Sequence, residues 1–222
     1  MAAEMRSRKA VALLWVGGVV AATLVVLGVN GTLSSWTQAI ITNPNNTAAT
    51  NGAPILQETQ GANTCLSSSS ATNVSTCTTI NKYGGTASPL SPGTSQTADV
   101  TFTNVGAVKG STFTLTSGAC TQNPTAGTGT PPANNLCTNG DLTIAVSCSP
   151  GTTYSAGSAW TDLVATATSP ATFAAGAGLT HTTGLAAGAS ATCRFTVALG
   201  SGAGVLDQGI VVTQPLTWTL TA

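Results

Sequence analysis

The stretch Ala98-Asp99-Val100-Thr101-Phe102-Thr103-Asn104-Val105-Gly106 decides the fold class. Ala98, Val100 and Phe102 alternate with Asp99, Thr101 and Thr103, and a period of two puts each set on its own face of a β-strand. The same alternation recurs in both directions along the chain. Phe113 and Leu115 alternate with Thr112, Thr114 and Thr116. Leu142, Ile144, Val146 and Cys148 share one side of a strand, as do Cys193, Phe195, Val197 and Leu199. Leu216, Trp218 and Leu220 alternate with Thr217, Thr219 and Thr221. Threonine suits a half-buried pleated surface because its β-branch packs there. Turn clusters, Ser91-Pro92-Gly93, Asn139-Gly140-Asp141 and Ser149-Pro150-Gly151, punctuate the runs. After Val29 no segment carries a helical stripe: Ala165 to Ala177 is Ala-rich, but Pro170 and Gly176 interrupt it. Many short alternating strands predict an all-β, antiparallel β-sandwich. No linker-like stretch divides the strands into two sets, so residues 36–222 read as a single domain. Gly61 to Ser75, rich in Ser, Thr and Asn, and Asn123 to Asn135, with three prolines, read as loops.

Of the 222 residues 42% are hydrophobic and only 5% are charged, against roughly 25% charged in ordinary soluble domains. Hydroxyls therefore solvate the surface. Arg6, Arg8 and Lys9 lie at the N-terminus, and beyond them only Lys82, Lys109 and Arg194 face Glu58, Asp99, Asp141, Asp162 and Asp207. No basic patch exists to neutralise phosphates, which excludes nucleic acid as an expected partner.

Arg6, Arg8 and Lys9 precede an uncharged apolar run from Ala10 to Val29, and the small residues of Gly31-Thr32-Leu33-Ser34-Ser35 follow. Residues 1–35 read as a signal peptide, with signal peptidase as a partner during export and a cut between Ser35 and Trp36. About 20 apolar residues also suffice to span a bilayer, so an uncleaved anchor helix is the competing reading. Membrane contact is then confined to residues 10–29. In either case the remainder is exported, to a secreted or cell-surface location. The cysteines agree. All six, Cys65, Cys77, Cys120, Cys137, Cys148 and Cys193, follow this segment, and an even number in an exported chain predicts disulfides. Six cysteines allow fifteen connectivities. Cys65–Cys77 and Cys120–Cys137 would each close a loop-like segment. Cys148 and Cys193 each share a face with core residues, which points both sulfurs inward to meet across paired strands or across the two sheets.

Two pieces carry a resemblance. The first is Gly31-Thr32-Leu33-Ser34-Ser35-Trp36-Thr37-Gln38; the second is Leu90-Ser91-Pro92-Gly93-Thr94-Ser95 leading into Ala98 to Gly106. Together they resemble the TasA/camelysin family of exported bacterial β-sandwich proteins: a Gly-Thr pair and an aromatic at the mature N-terminus, and a Pro-Gly turn entering a strand that ends in Asn-x-Gly. The resemblance implies a jelly-roll-like sandwich, secreted, that assembles into extracellular fibres or matrix. The six cysteines and the low charge depart from the Lys-rich members of that family.

Chemistry-bearing patterns are sparse. The lone histidine, His181, lies in a loop-like Gly178-Leu179-Thr180-His181-Thr182-Thr183-Gly184. It cannot supply the two histidines of a zinc protease, and no G-x-S-x-G elbow accompanies it. No cysteine pair has C-x-x-C spacing. No catalytic residue, metal site or cofactor is therefore expected. Asp99, Asp141, Asp162 and Asp207 read as surface carboxylates. Trp218 reads as core, and Trp160 as a partly buried loop residue or an exposed aromatic for carbohydrate. Two functions follow. One is an exported structural surface or extracellular-matrix protein, capable of self-association into a fibre. The other is a monomeric cell-surface binding module, for example for cell-wall glycan. For the first, the segment Trp36-Thr37-Gln38-Ala39-Ile40-Ile41-Thr42, with Trp36, Ile40 and Ile41 as apolar anchors and a break at Asn43-Pro44-Asn45-Asn46, reads as either an internal first strand or an assembly strand added to a neighbouring sheet edge.

Overall fold

The computed structural model describes Gly52–Ala222, together with the paired segments Thr42–Asn43 and Asn46–Thr47. The targeting segment, the cleavage point and the assembly residues Trp36, Ile40 and Ile41 lie outside the described residues. β1 (Thr42–Asn43) pairs antiparallel with β2 (Asn46–Thr47), Asn43 opposite Asn46. Asn43 and Asn46, the two ends of the expected break, are thus strand residues, and Pro44 and Asn45 between them lie outside the described residues.

Gly52–Ala222 forms one compact unit, and it is an all-β sandwich. Its strands are β3 (Leu56–Gln60), β4 (Asn63–Leu66), β5 (Ser95–Asn104), β6 (Thr112–Ser117), β7 (Thr121–Asn123), β8 (Leu142–Pro150), β9 (Val164–Thr168), β10 (Leu179–His181), β11 (Ser190–Leu199), β12 (Val211–Thr213) and β13 (Leu216–Thr221). One sheet has six strands in the order β4-β3-β5-β11-β8-β9; the other has three, β10-β6-β13; β7 and β12 form a separate pair. All pairings are antiparallel.

The alternating strands bury the expected faces. Val100 and Phe102 of β5, Ile144 and Val146 of β8, and Cys193 and Phe195 of β11 are at most 1% exposed. The two sheets meet through aromatic rings. Trp218 of β13 lies 4.1 Å from Phe102 and 6.2 Å from Phe195 across the sandwich, and it stacks on Phe113 of β6 at 4.8 Å. Each fully buried ring of this size contributes about 1.5–3 kcal/mol. On the outer face, β5 and β11 pair hydroxyl with hydroxyl: Thr101 Oγ1 lies 3.0 Å from Thr192 Oγ1, and Thr103 Oγ1 lies 2.8 Å from Ser190 Oγ. Asp99 sits opposite Arg194 and accepts two hydrogen bonds from its guanidinium at 2.7 Å.

The cysteines pair as Cys65–Cys77, Cys120–Cys137 and Cys148–Cys193. Cys148 of β8 is the direct cross-strand partner of Cys193 of β11, so the sulfurs meet within one sheet rather than between the two. Three disulfides mark a protein of an oxidising compartment.

Four expectations need correction. The segment Gly61 to Ser75 is not all loop, because Gly61, at φ +57, makes a two-residue turn that folds β4 back onto β3. As an edge strand with polar residues on both faces, β4 carries no alternation to read. Pro170 opens a short helix, α1 (Pro170–Ala175), instead of interrupting one. Ser169 caps it by accepting the Thr172 N–H, and proline fits the first turn because its missing N–H is not needed there. His181 ends β10 and is only 8% exposed, not a solvated loop residue. Asp207 is likewise 8% exposed rather than superficial. Its Oδ1 accepts from Asn134 Nδ2 at 2.8 Å and its Oδ2 from the Gly204 N–H at 2.7 Å, so a polar network compensates its burial.

Candidate assembly groove

A three-stranded sheet cannot cover a six-stranded one. β13 pairs with β6 on one side only, and its other edge is unpaired among the described strands. Beside that edge the sandwich holds an open groove of about 1290 Å³. Its floor is the inner face of the six-stranded sheet, with Leu56, Leu142 and Val197. One wall is β13, which contributes Leu216, Trp218 and Leu220. All three are only partly buried, although their alternation marks them as inward-facing, because the cavity stands where further packing would be.

The other wall is a strap, residues 78–92, joining the Cys65–Cys77 disulfide to β5. Ile80, Tyr83 and Leu90 line the cavity from this side. Residues 78–90 hold no strand, and their one main-chain hydrogen bond among the described residues is internal, from Gly84 N–H to Asn81 O. Side chains fasten the strap instead. Lys82 forms an ion pair with Glu58 of β3, the two side chains being 10% and 13% exposed. The Tyr83 hydroxyl donates to Gln214 Oε1 at 2.8 Å, and Gln96 Nε2 donates to the Tyr83 carbonyl. Removing one member of this partly buried ion pair leaves the other charge without its partner and loosens the strap.

Burial of the Tyr83 phenol pushes its pKa well above the ordinary value. The folded state therefore favours the neutral phenol more than the unfolded state does. That contribution is fully present below the unfolded value of about 10 and is lost as pH rises above it. Melting temperature should fall from about pH 10 upward, and Tyr83→Phe should flatten part of that fall. Equal alkaline slopes for the two proteins in thermal melts would contradict this assignment.

Two buried side-chain atoms among the described residues lack a hydrogen-bond partner: Trp218 Nε1 and Glu58 Oε1. Glu58 Oε1 still faces Lys82 Nζ as an ion pair, so its orphan status is one of angle and not of charge. The Trp218 indole N–H has no acceptor at all. Both residues line the groove.

The remaining polar groups sit elsewhere. His181 Nδ1 lies 3.0 and 3.1 Å from the two oxygens of Asp162, its Nε2 lies 2.5 Å from Thr183 Oγ1, and its ring stacks on Trp160 at 3.8 Å. Both nitrogens are thus engaged. The cluster clasps β10 to the turn that precedes β9, at the border opposite the groove. Trp160 is a partly buried loop residue with one indole face covered by imidazole. Asp141 and Asp207 are bridged by the Asn139 amide, at 2.5 and 3.5 Å. Among the described residues no group of three metal-ligating side chains converges. No described helix is long and apolar enough to cross a membrane.

Glu58, Lys82, Tyr83 and Gln214 were missed as site residues by the reading of the sequence. One signal was present: Ile80, Tyr83 and Leu90 are apolar positions inside an otherwise polar connection, too many for a solvated loop. No protein-family model matches the chain, and no curated protein matches it.

Proposed function

We propose that this chain is an exported structural protein of the cell surface or extracellular matrix, and that its copies join by strand addition. The unpaired edge of β13 beside a groove of mixed polar and apolar lining, with Leu216, Trp218 and Leu220 on its wall, is the observation that carries the reading. An exposed edge offers unpaired N–H and C=O groups, and alternate side chains of an added strand would fill the cavity. The occupant is residues 36–41 of a second copy. Thr42 pairs in β1, so the proposed donor stretch is Trp36-Thr37-Gln38-Ala39-Ile40-Ile41. It is uncharged and β-prone, and its six residues span about 20 Å when extended, the length of the six-residue β13. Trp36 and Ile40, or Ile41, supply the apolar anchors. Cleavage after Ser35 frees the strand only once the chain has left the cell. A contact between different surfaces on successive copies does not close on itself and yields a filament. The resemblance to the TasA/camelysin family agrees with this reading.

The test is deletion of Trp36 to Ile41 from the mature chain, followed by sizing and negative-stain microscopy. The expected result is a folded, soluble monomer, whereas the undeleted chain forms filaments. Filaments that persist after the deletion, or a deletion that unfolds the domain, would overturn the proposal. A full-length mature chain that stays monomeric at high concentration and retains glycan on a column would favour the binding-module alternative.

A further inference from the structure

We infer that the strap, residues 78–92, is a displaceable guard over the β13 edge, held shut by the Tyr83–Gln214 hydrogen bond and the Glu58–Lys82 ion pair, and that its opening limits the rate of assembly. This rests on the strand-addition reading and concerns the regulation of the same groove. Three observations and one general rule carry it. The strap and β13 form opposite walls of one cavity, so a strand that pairs with β13 must claim space the strap borders. Covering a free edge with a loop is a recognised means of preventing premature pairing. The strap is fixed at its two ends, at Cys77 by the disulfide and at Gly93, whose N–H donates to the Leu199 carbonyl at 2.9 Å. Between those points no main-chain-to-main-chain hydrogen bond ties residues 78–90 to either sheet among the described residues, the Tyr83 carbonyl being held instead by the Gln96 side chain of β5.

Beyond Ile80, 6% exposed in the core, and the packing of Tyr83 and Leu90 against it, the strap is held by side-chain clasps and not by a ladder, and such a segment opens at lower free energy than a paired strand. Gly84 and Gly85 follow Tyr83 directly at φ +83 and +73, a conformation that favours glycine. A Cβ on Gly84 would lie 2.3 Å from the Gln96 side chain. The clasps and this close-fitting glycine pair are therefore adjacent. Tethering at both ends lets the strap lift without being lost, and the Cys65–Cys77 link keeps it beside the cavity it walls.

The experiment follows polymerisation of the mature chain by light scattering, alongside hydrogen exchange of its main-chain amides. In the wild type, amides of residues 78–90 should exchange orders of magnitude faster than those of β5, β8 and β11. Tyr83→Phe removes one hydroxyl and keeps the ring; it should shorten the lag roughly three- to tenfold, the factor expected for one lost hydrogen bond. Lys82→Met should shorten it further. Strap amides as protected as those of β5 in the wild type would overturn the inference without any variant. So would a wild-type or lengthened lag in Tyr83→Phe. If the lag is unchanged while deletion of Trp36 to Ile41 still abolishes filaments, the guard fails and strand addition stands. If the deletion leaves filaments intact, strand addition itself fails.

Discussion

Replacing Asn104 with Ala should cost the domain about 4 kcal/mol or more, enough to leave it largely unfolded at modest denaturant concentrations. Asn104 ends β5 and is 0% exposed. Its Nδ2 donates to the carbonyls of Val108 at 2.8 Å and Leu185 at 3.0 Å. Its Oδ1 accepts from the N–H groups of Ile55 at 3.3 Å and Gly106 at 3.1 Å. One side chain thus serves four main-chain groups from three separate parts of the fold. Truncation strands three of the four, since the Leu185 carbonyl keeps the Gly110 N–H at 2.8 Å, and each buried orphan costs about 1–3 kcal/mol before any water enters. Gly106 is part of the same device. A Cβ there would sit 2.5 Å from the Ala53 carbonyl and the Ile55 nitrogen, so the close approach of the chain before β3 demands glycine. The Asn-x-Gly ending of the strand is therefore a hydrogen-bond hub with a close-packed neighbour. Urea titration of Asn104→Ala beside Asn104→Asp measures the effect. Asp keeps the acceptors but turns a carboxylate oxygen toward two carbonyls in a site with no exposure, so at neutral pH it should be destabilised at least as much as Ala. A midpoint shift worth under 1 kcal/mol for Asn104→Ala would refute the hub.

The second large effect is expected from Cys148 and Cys193. The double replacement by Ala should cost about 4 kcal/mol from loop closure alone, against about 3 kcal/mol for the equivalent change at Cys65 and Cys77. The sequence separations are 45 and 12 residues, and a bridge closing the longer loop restrains the unfolded chain more. Location widens the gap. Both Cys148 and Cys193 are 0% exposed on adjacent strands of the six-stranded sheet, so two Ala side chains also leave a void in the core. Cys65 and Cys77 are only partly buried at the strap's root, and their loss chiefly frees the strap. Guanidinium melts of the two double variants test the order. A larger loss from the Cys65, Cys77 pair would refute it.

The strands with one apolar face were determined by the sequence itself. β5, β6, β8, β11 and β13 all lie where the alternation of Val, Phe, Leu and Ile with Thr puts them, because a period of two is a local property that needs no partner to be read. The same parity aimed Cys148 and Cys193 into the core, and spacing across polar segments paired the other four cysteines. What parity left open was whether the Cys148–Cys193 bridge lies within a sheet or between sheets; only the register of β8 on β11 decides that. β4 was hidden because an edge strand with polar faces has no alternation, and it exists through the turn at Gly61 and its pairing with β3. His181 became buried only when β10 docked on β6 and Trp160 and Asp162 arrived from another segment. The groove belongs wholly to tertiary structure. It is the difference in width between a six-stranded and a three-stranded sheet, and its walls draw on Glu58, Tyr83 and Trp218, far apart in the chain. Local patterns report which face of a strand is apolar, whereas a vacancy beside a sheet edge is set by how many strands each layer receives, and that sum is fixed only when the whole chain has folded.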